Sequence, residues 1–179
     1  MIIDITYFFG DILIGQLSEQ SVQDKVNLFI NQYEPEILKG LLGYETYKLV
    51  SATAPEERFN ELKNGAEFTD EKGLLRKWEG LARTDKVSLI AYYVYYWYQR
   101  SQTTTTSGTG EGKTQTQNAT EESPADKMFK VWNKMVSQNE ELYCFLNAKK
   151  DVYTEWYKWV TADNSSLNYL TRINLFNLC

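Results

Sequence analysis

Hydrophobic and polar positions change period several times along the chain, and each change predicts an element. Ile3, Ile5 and Tyr7 alternate with Asp4 and Thr6, the period of a strand, before a Gly10-Asp11 turn and the apolar Ile12-Leu13-Ile14. Residues 1–17 therefore read as an edge hairpin or an extended arm. From Ser18 the period becomes helical. Ser21 and Asp24 have the spacing of a capping signal, and Val22, Val26, Phe29, Ile30 and Tyr33 fall on one face. Pro35 suits the first turn of a second helix, with Ile37, Leu38, Leu41 and Leu42 as its stripe and Gly43 ending or bending it. Tyr44, Tyr47, Leu49 and Val50 continue the apolar pattern. Ala54-Pro55 opens a short helix that Asn64-Gly65 closes. Residues 66–78 read as a hairpin, with Phe68 before a DEKG turn and Leu74 and Trp78 after it.

The densest segment is AYYVYYWYQR at residues 91–100. Tyrosine and valine favour strands, but the run from Asp85 to Arg100 has no breaker and starts after Thr84, a good N-cap, with Asp85 at the positive end of the dipole. Helix is the expectation. It places Tyr92, Tyr96 and Gln99 on one face and Tyr93, Trp97 and Arg100 on another. A helix that is apolar nearly all round is buried or clasped by partners.

Residues 101–123, SQTTTTSGTGEGKTQTQNATEES, follow with no aromatic side chain. Connections beyond about 12–15 residues in a compact domain are functional or disordered. This one reads as a flexible linker or as a finger that orders on a partner, its threonines suited to adding a strand to a sheet edge. Pro124 and Asp126 then open a helix with Met128, Phe129, Trp132, Met135 and Val136 inside, extended by Leu142, Tyr143, Phe145 and Leu146. Tyr153, Trp156, Tyr157 and Val160 form a last aromatic turn. The stretch from 163 to 179 carries Leu167, Leu170, Ile173, Leu175, Phe176 and Leu178, a composition that needs cover from the core or a neighbour. The fold class is thus mainly α: a helical body over 18–162 with a small β-hairpin, N- and C-terminal arms and a long polar loop.

Composition narrows what such a body does. The chain has 179 residues, enough for one domain that buries its own core. It contains 13 Tyr and 5 Trp, types that subunit interfaces favour and that large cores also hold. Net charge is −5 with no histidine, which removes the commonest general base and metal ligand and argues against a protein that grips DNA. Cys144 and Cys179 lie far apart, as reduced thiols do. The N-terminus makes a poor signal peptide, and no apolar run approaches the roughly 20 residues of a bilayer span. No cofactor and no membrane are expected.

Few motifs suggest chemistry. Residues 107–114, SGTGEGKT, match the phosphate-loop pattern GxxxxGK[ST] except for Ser107. That mechanism needs a loop between a buried strand and a helix N-terminus, whereas runs of Thr and Gln flank this segment. A nucleotide-binding enzyme stays a remote alternative. The pairs Glu56-Glu57, Glu121-Glu122 and Glu140-Glu141 are sequence neighbours, about 100° apart on a helix, and read as solvated faces.

Taken in order, an N-terminal arm, YEPEILKGLLGYETYKLV, RFNELKNGAEFTDEKG, KWEGL, a Tyr-rich helix, a TGEG-containing loop and SPADKMFKVWNKM resemble the head–tail connector (adaptor, or neck ring) proteins of tailed bacteriophages, above all those of Bacteroides-type hosts. The resemblance covers residues 20 to about 160 and rests on aromatic and glycine spacing. It implies a non-enzymatic virion protein, found in host cytoplasm during assembly, that forms a homo-oligomeric ring, usually a dodecamer. Such a ring joins the portal protein to tail or neck proteins, and DNA passes through it without specific binding. An acidic lining suits that passage. On this reading the partner interface involves Tyr92, Tyr96 and Trp97, the loop residues Thr103, Thr104, Thr105, Thr106 and Lys113, and Leu175 and Phe176 of the tail. A helical module whose aromatic cluster receives a peptide or small ligand is the alternative.

Overall fold

The structure, a computed structural model, describes residues 1–107, 110–113 and 124–163. It is mainly helical, with five α-helices among these residues: α1 Gln20–Val50, α2 Phe59–Asn64, α3 Leu89–Thr103, α4 Pro124–Ala148 and α5 Thr154–Asp163. Two antiparallel hairpins pair β1 Ala66–Thr69 with β2 Leu75–Trp78, and β3 Thr104–Ser107 with β4 Gly110–Lys113. The aromatic helix α3 packs on both α1 and α4, and α5 packs chiefly on α1.

The N-terminal segment forms no strand. It folds into two short 3-10 turns, Ile5–Tyr7 and Gly10–Ile12. Asp4 drives the first, its carboxylate accepting the Thr6 N–H at 2.8 Å and the Thr6 hydroxyl. The arm then lies on the body, burying Ile3, Tyr7, Phe8, Ile12 and Ile14. Glu34 supplies what a neighbouring strand would have supplied. Its two carboxylate oxygens accept the Ile2 and Ile3 N–H groups at 2.8 and 3.0 Å, while the residue itself is only 5% exposed. Glu34→Ala strands these donors against an apolar wall and is expected to cost about 2–4 kcal/mol, since each unsatisfied buried group costs roughly 1–3 kcal/mol. Glu34→Gln keeps one acceptor and recovers part of that loss; equal urea midpoints for Ala and wild type would refute the pinning.

Pro35 starts no helix; it lies inside α1. A proline there costs about 3 kcal/mol in lost hydrogen bonding and ring clash. Val26, Ile30, Ile37, Leu38, Leu41 and Leu42 outweigh it, because each is at most 4% exposed and full burial of such a side chain contributes about 1.5–3 kcal/mol. The break in α1 comes at Gly43, whose φ of 73° and ψ of 160° are not helical. The start of α1 also differs from expectation. Glu19 is the N-cap, without a side-chain cap bond, and Asp24 instead accepts from the Gln20 amide at 2.8 Å.

α2 begins at Phe59, later than Pro55, because residues 51–58 form turns before it. α3 begins at Leu89 and not at Thr84. Asp85 bonds Arg83 and the Val87 N–H, which folds 83–87 into a turn, and Ser88 caps the helix through Ile90 N–H at 3.3 Å. The first hairpin forms as expected, its turn closed by Asp70, which accepts from the Lys72 and Leu74 N–H groups at 2.9 Å. Phe68 and Trp78 carry it onto Phe145 of α4, with ring centroids 5.4 and 6.0 Å apart.

Arg58 links the start of α2 to α5. Its guanidinium donates to both Glu155 oxygens at 3.0 Å and to the Val152 carbonyl at 2.8 Å. The bonds from Arg58 hold the Glu155 carboxyl below its ordinary value of 4.5. A carboxyl lowered in the folded state stabilises fully above its ordinary value and loses that contribution as pH falls through the folded one. Glu155→Gln is therefore expected to cost up to about 1 kcal/mol at neutral pH, with the gap closing below pH 4.5 in a series of denaturant titrations.

Candidate functional site

The aromatic helix is mostly core. Tyr92, Tyr93, Tyr95 and Tyr98 are each at most 7% exposed. Tyr96 and Trp97 are half-buried and face other rings. Tyr33 of α1 stacks on Trp97 with centroids 5.4 Å apart and planes 2° from parallel, while Tyr96 meets Trp132 of α4 at 4.8 Å. Phe29 closes the layer edge-on against Tyr98 at 5.4 Å, and the Tyr93 hydroxyl donates to Glu36 at 2.5 Å. The sequence pattern, apolar on nearly every face, arises because both α1 and α4 pack on α3. Arg100 caps the layer with its guanidinium 5.1 Å from the Trp97 ring centroid.

Of the predicted interface residues, the structure brings Tyr96 and Trp97 together, ring centroids 5.6 Å apart, whereas Tyr92 lies beside Phe9, Asp11 and Ile12 of the arm. Thr103 is the last residue of α3. Thr104, Thr105 and Thr106 belong to β3, where Thr104 is in register with Lys113 of β4. Leu175 and Phe176 lie outside the described residues. Within the phosphate-loop pattern, Gly110–Lys113 is a strand paired with Thr104–Ser107. Residues 108, 109 and 114 to 123, the rest of the expected flexible loop, are outside the description.

Three features escaped the sequence reading. One is the pinning carboxylate of Glu34, which stands in the buried row Val26, Ile30, Glu34, Leu38; a charge on an apolar stripe was its signal. Another is a groove of about 660 Å³ where Lys127, Lys130 and Lys134 of α4 face Gly10 and Asp11 of the arm. Lys134 pairs with Asp11 and, by that hydrogen bond, holds the carboxyl below its ordinary value. Lys127 sits 5.4 Å from the Tyr95 ring centroid. The spacing of the lysines at helical intervals was legible, but the arm that completes the groove was not.

The last is what α5 brings to the α1 kink, whose place at Gly43 the sequence did signal. Trp156 of α5 donates its indole N–H to the Leu41 carbonyl at 3.1 Å, and Trp159 packs against Gly43. Tyr153, ahead of α5, donates its hydroxyl to the Arg58 carbonyl at 2.9 Å, and burial raises the pKa of that hydroxyl far above its ordinary value.

Exposed apolar side chains are spread over separate elements. Phe9 and Leu13 are on the arm, Leu28 and Tyr44 on α1, and Leu74 and Leu75 at the tip of the first hairpin, all between 45% and 72% exposed. Among the described residues no three His, Cys, Asp or Glu side chains converge to hold a metal ion, and no helix is long and apolar enough to cross a membrane. What the arrangement offers is surface for contact. Compared with known proteins, the chain matches no family model, no curated protein and no solved structure.

Proposed function

We propose that the protein is a structural subunit of a phage neck, a head–tail connector that forms a ring beneath the portal and surrounds the DNA exit channel. The observation that carries this reading is a two-stranded hairpin that continues a clasped helix. α3 packs on α1 and α4 and runs directly into β3, which pairs with β4. A lone two-stranded hairpin is marginally stable in water, so a partner strand or surface gives it a reason to form.

The scatter of exposed apolar residues supports the same reading. A cyclic ring has heterologous contacts, which need two different faces on each subunit, and here the arm, α1 and the first hairpin each offer apolar surface. The net charge of −5 suits a channel through which a polyanion slides.

Removing residues 104–120 tests the proposal while sparing α3. The expected product is folded, with unchanged helical circular dichroism, and no longer binds an isolated portal ring in co-sedimentation. Undiminished binding would count against a docking hairpin. A stable monomer that binds a peptide or small ligand through its aromatic layer would instead favour the binding-module alternative.

A further inference from the structure

We propose that the chain's own C-terminal segment, residues 164–179, seats in the groove beside the Gly43 kink. The groove holds about 440 Å³ and is lined by Leu42, Gly43, Tyr44, Thr46 and Trp159, together with the charged Glu45, Glu155 and Lys158. Tyr44 is 66% exposed, a large ring left open to water where it lines the groove.

Thr46 gives the groove a second, polar reason to be filled. It is 1% exposed, and its hydroxyl finds no hydrogen-bond partner among the described residues. Native proteins rarely leave a buried hydroxyl unpaired. An incoming polypeptide carries N–H and C=O groups along its length and satisfies such a group without a special side chain.

Connectivity names the occupant. α5 ends at Asp163, four residues past the Trp159 that lines the groove, so the segment starts about 6 Å along the helix from it. Asn164, Ser165 and Ser166 come next, types that end helices and reverse the chain. Leu167, Tyr169, Leu170, Ile173, Leu175 and Phe176 follow, and the only charged side chain from 164 to 179 is Arg172, opposite in sign to the lining residues Glu45 and Glu155, which outnumber Lys158. A tethered segment meets its groove at an effective concentration of order millimolar. That favours the same chain over another copy, and the inference does not rest on the ring reading.

Cysteine pairing in the full-length chain tests it. In a Cys144→Ser, Cys179→Ser background, Tyr44→Cys is combined in turn with Leu170→Cys, Ile173→Cys and Phe176→Cys. Leu28→Cys serves as the control: it is equally exposed and lies about 24 Å away along α1. Under mild oxidation, Tyr44→Cys is expected to bridge at least one tail position at monomer mass, at least tenfold faster than Leu28→Cys. Equal rates at the two sites, or bridges found only in dimers and larger species, would overturn the proposal. A protein that gives this bridge yet never forms rings would refute the connector and leave the seated tail standing.

Discussion

Replacing Trp156 with alanine is expected to cost about 4–5 kcal/mol of stability, at the upper end for deleting a buried aromatic side chain. The indole is 1% exposed and meets Tyr143 edge-on at 5.5 Å. Its N–H also satisfies the Leu41 carbonyl, a group near the point where the α1 ladder breaks at Gly43. Truncation therefore opens a cavity and orphans an acceptor together. For a chain of this size each kcal/mol moves the melting temperature by roughly 2–4 °C, so a fall of about 8–20 °C is expected. Trp156→Phe separates the two effects. It keeps most of the ring volume and leaves only the carbonyl unpaired, a loss of about 1–3 kcal/mol. Urea unfolding of the three proteins measures both steps, and a Trp156→Ala loss below about 1 kcal/mol would mean that α5 is not docked on α1.

Gly43→Ala is expected to cost about 3 kcal/mol although it adds a single methyl group. The backbone there has φ 73° and ψ 160°, a region essentially restricted to glycine, and forcing another residue into it costs on the order of 1–3 kcal/mol. A Cβ would also stand 2.7 Å from Trp159 Cδ2 and 2.8 Å from Cγ, so the indole must move or the kink must open. The steric part is separable. If the ring is the obstacle, Gly43→Ala combined with Trp159→Ala will be less destabilised than the sum of the two single variants. Strict additivity would show that the cost is backbone strain alone.

How much of this was legible in the sequence differs between elements, for physical reasons. The aromatic helix and α4 announced themselves, because long runs with one period and few breakers leave little choice, and the DEKG turn gave away the first hairpin; α5 showed only as a last aromatic turn. Local signals misled where tertiary contacts prevailed over them. Pro35 reads as a helix start, yet the buried stripe on both sides of it carries α1 through the proline, and the break comes later, at Gly43. Ile3, Ile5 and Tyr7 read as a strand, but the Asp4 side chain turned the backbone and Glu34, more than thirty residues away, took the N–H groups. Thr84 reads as a cap, while Asp85 spends that stretch on a turn and leaves capping to Ser88.

The candidate site was less legible than the fold. Tyrosine and tryptophan at every helical position suggest an interface and a core equally well. Only the packing of other elements on α3 shows that Tyr92 is inside and that Tyr96 and Trp97 are half-covered. The grooves at Asp11 and Gly43 each join segments distant in sequence, arm to α4 and α1 to α5, so no local pattern could announce them.

We propose that this chain works as a ring subunit. Native mass measurement of the purified full-length protein, alone and mixed with an isolated portal ring, with the same samples viewed by electron microscopy, tests it most directly. Closed rings are expected, with a mass that is an integral multiple of the chain and with coaxial binding to the portal. A monomer at every concentration, with no portal association, would contradict it.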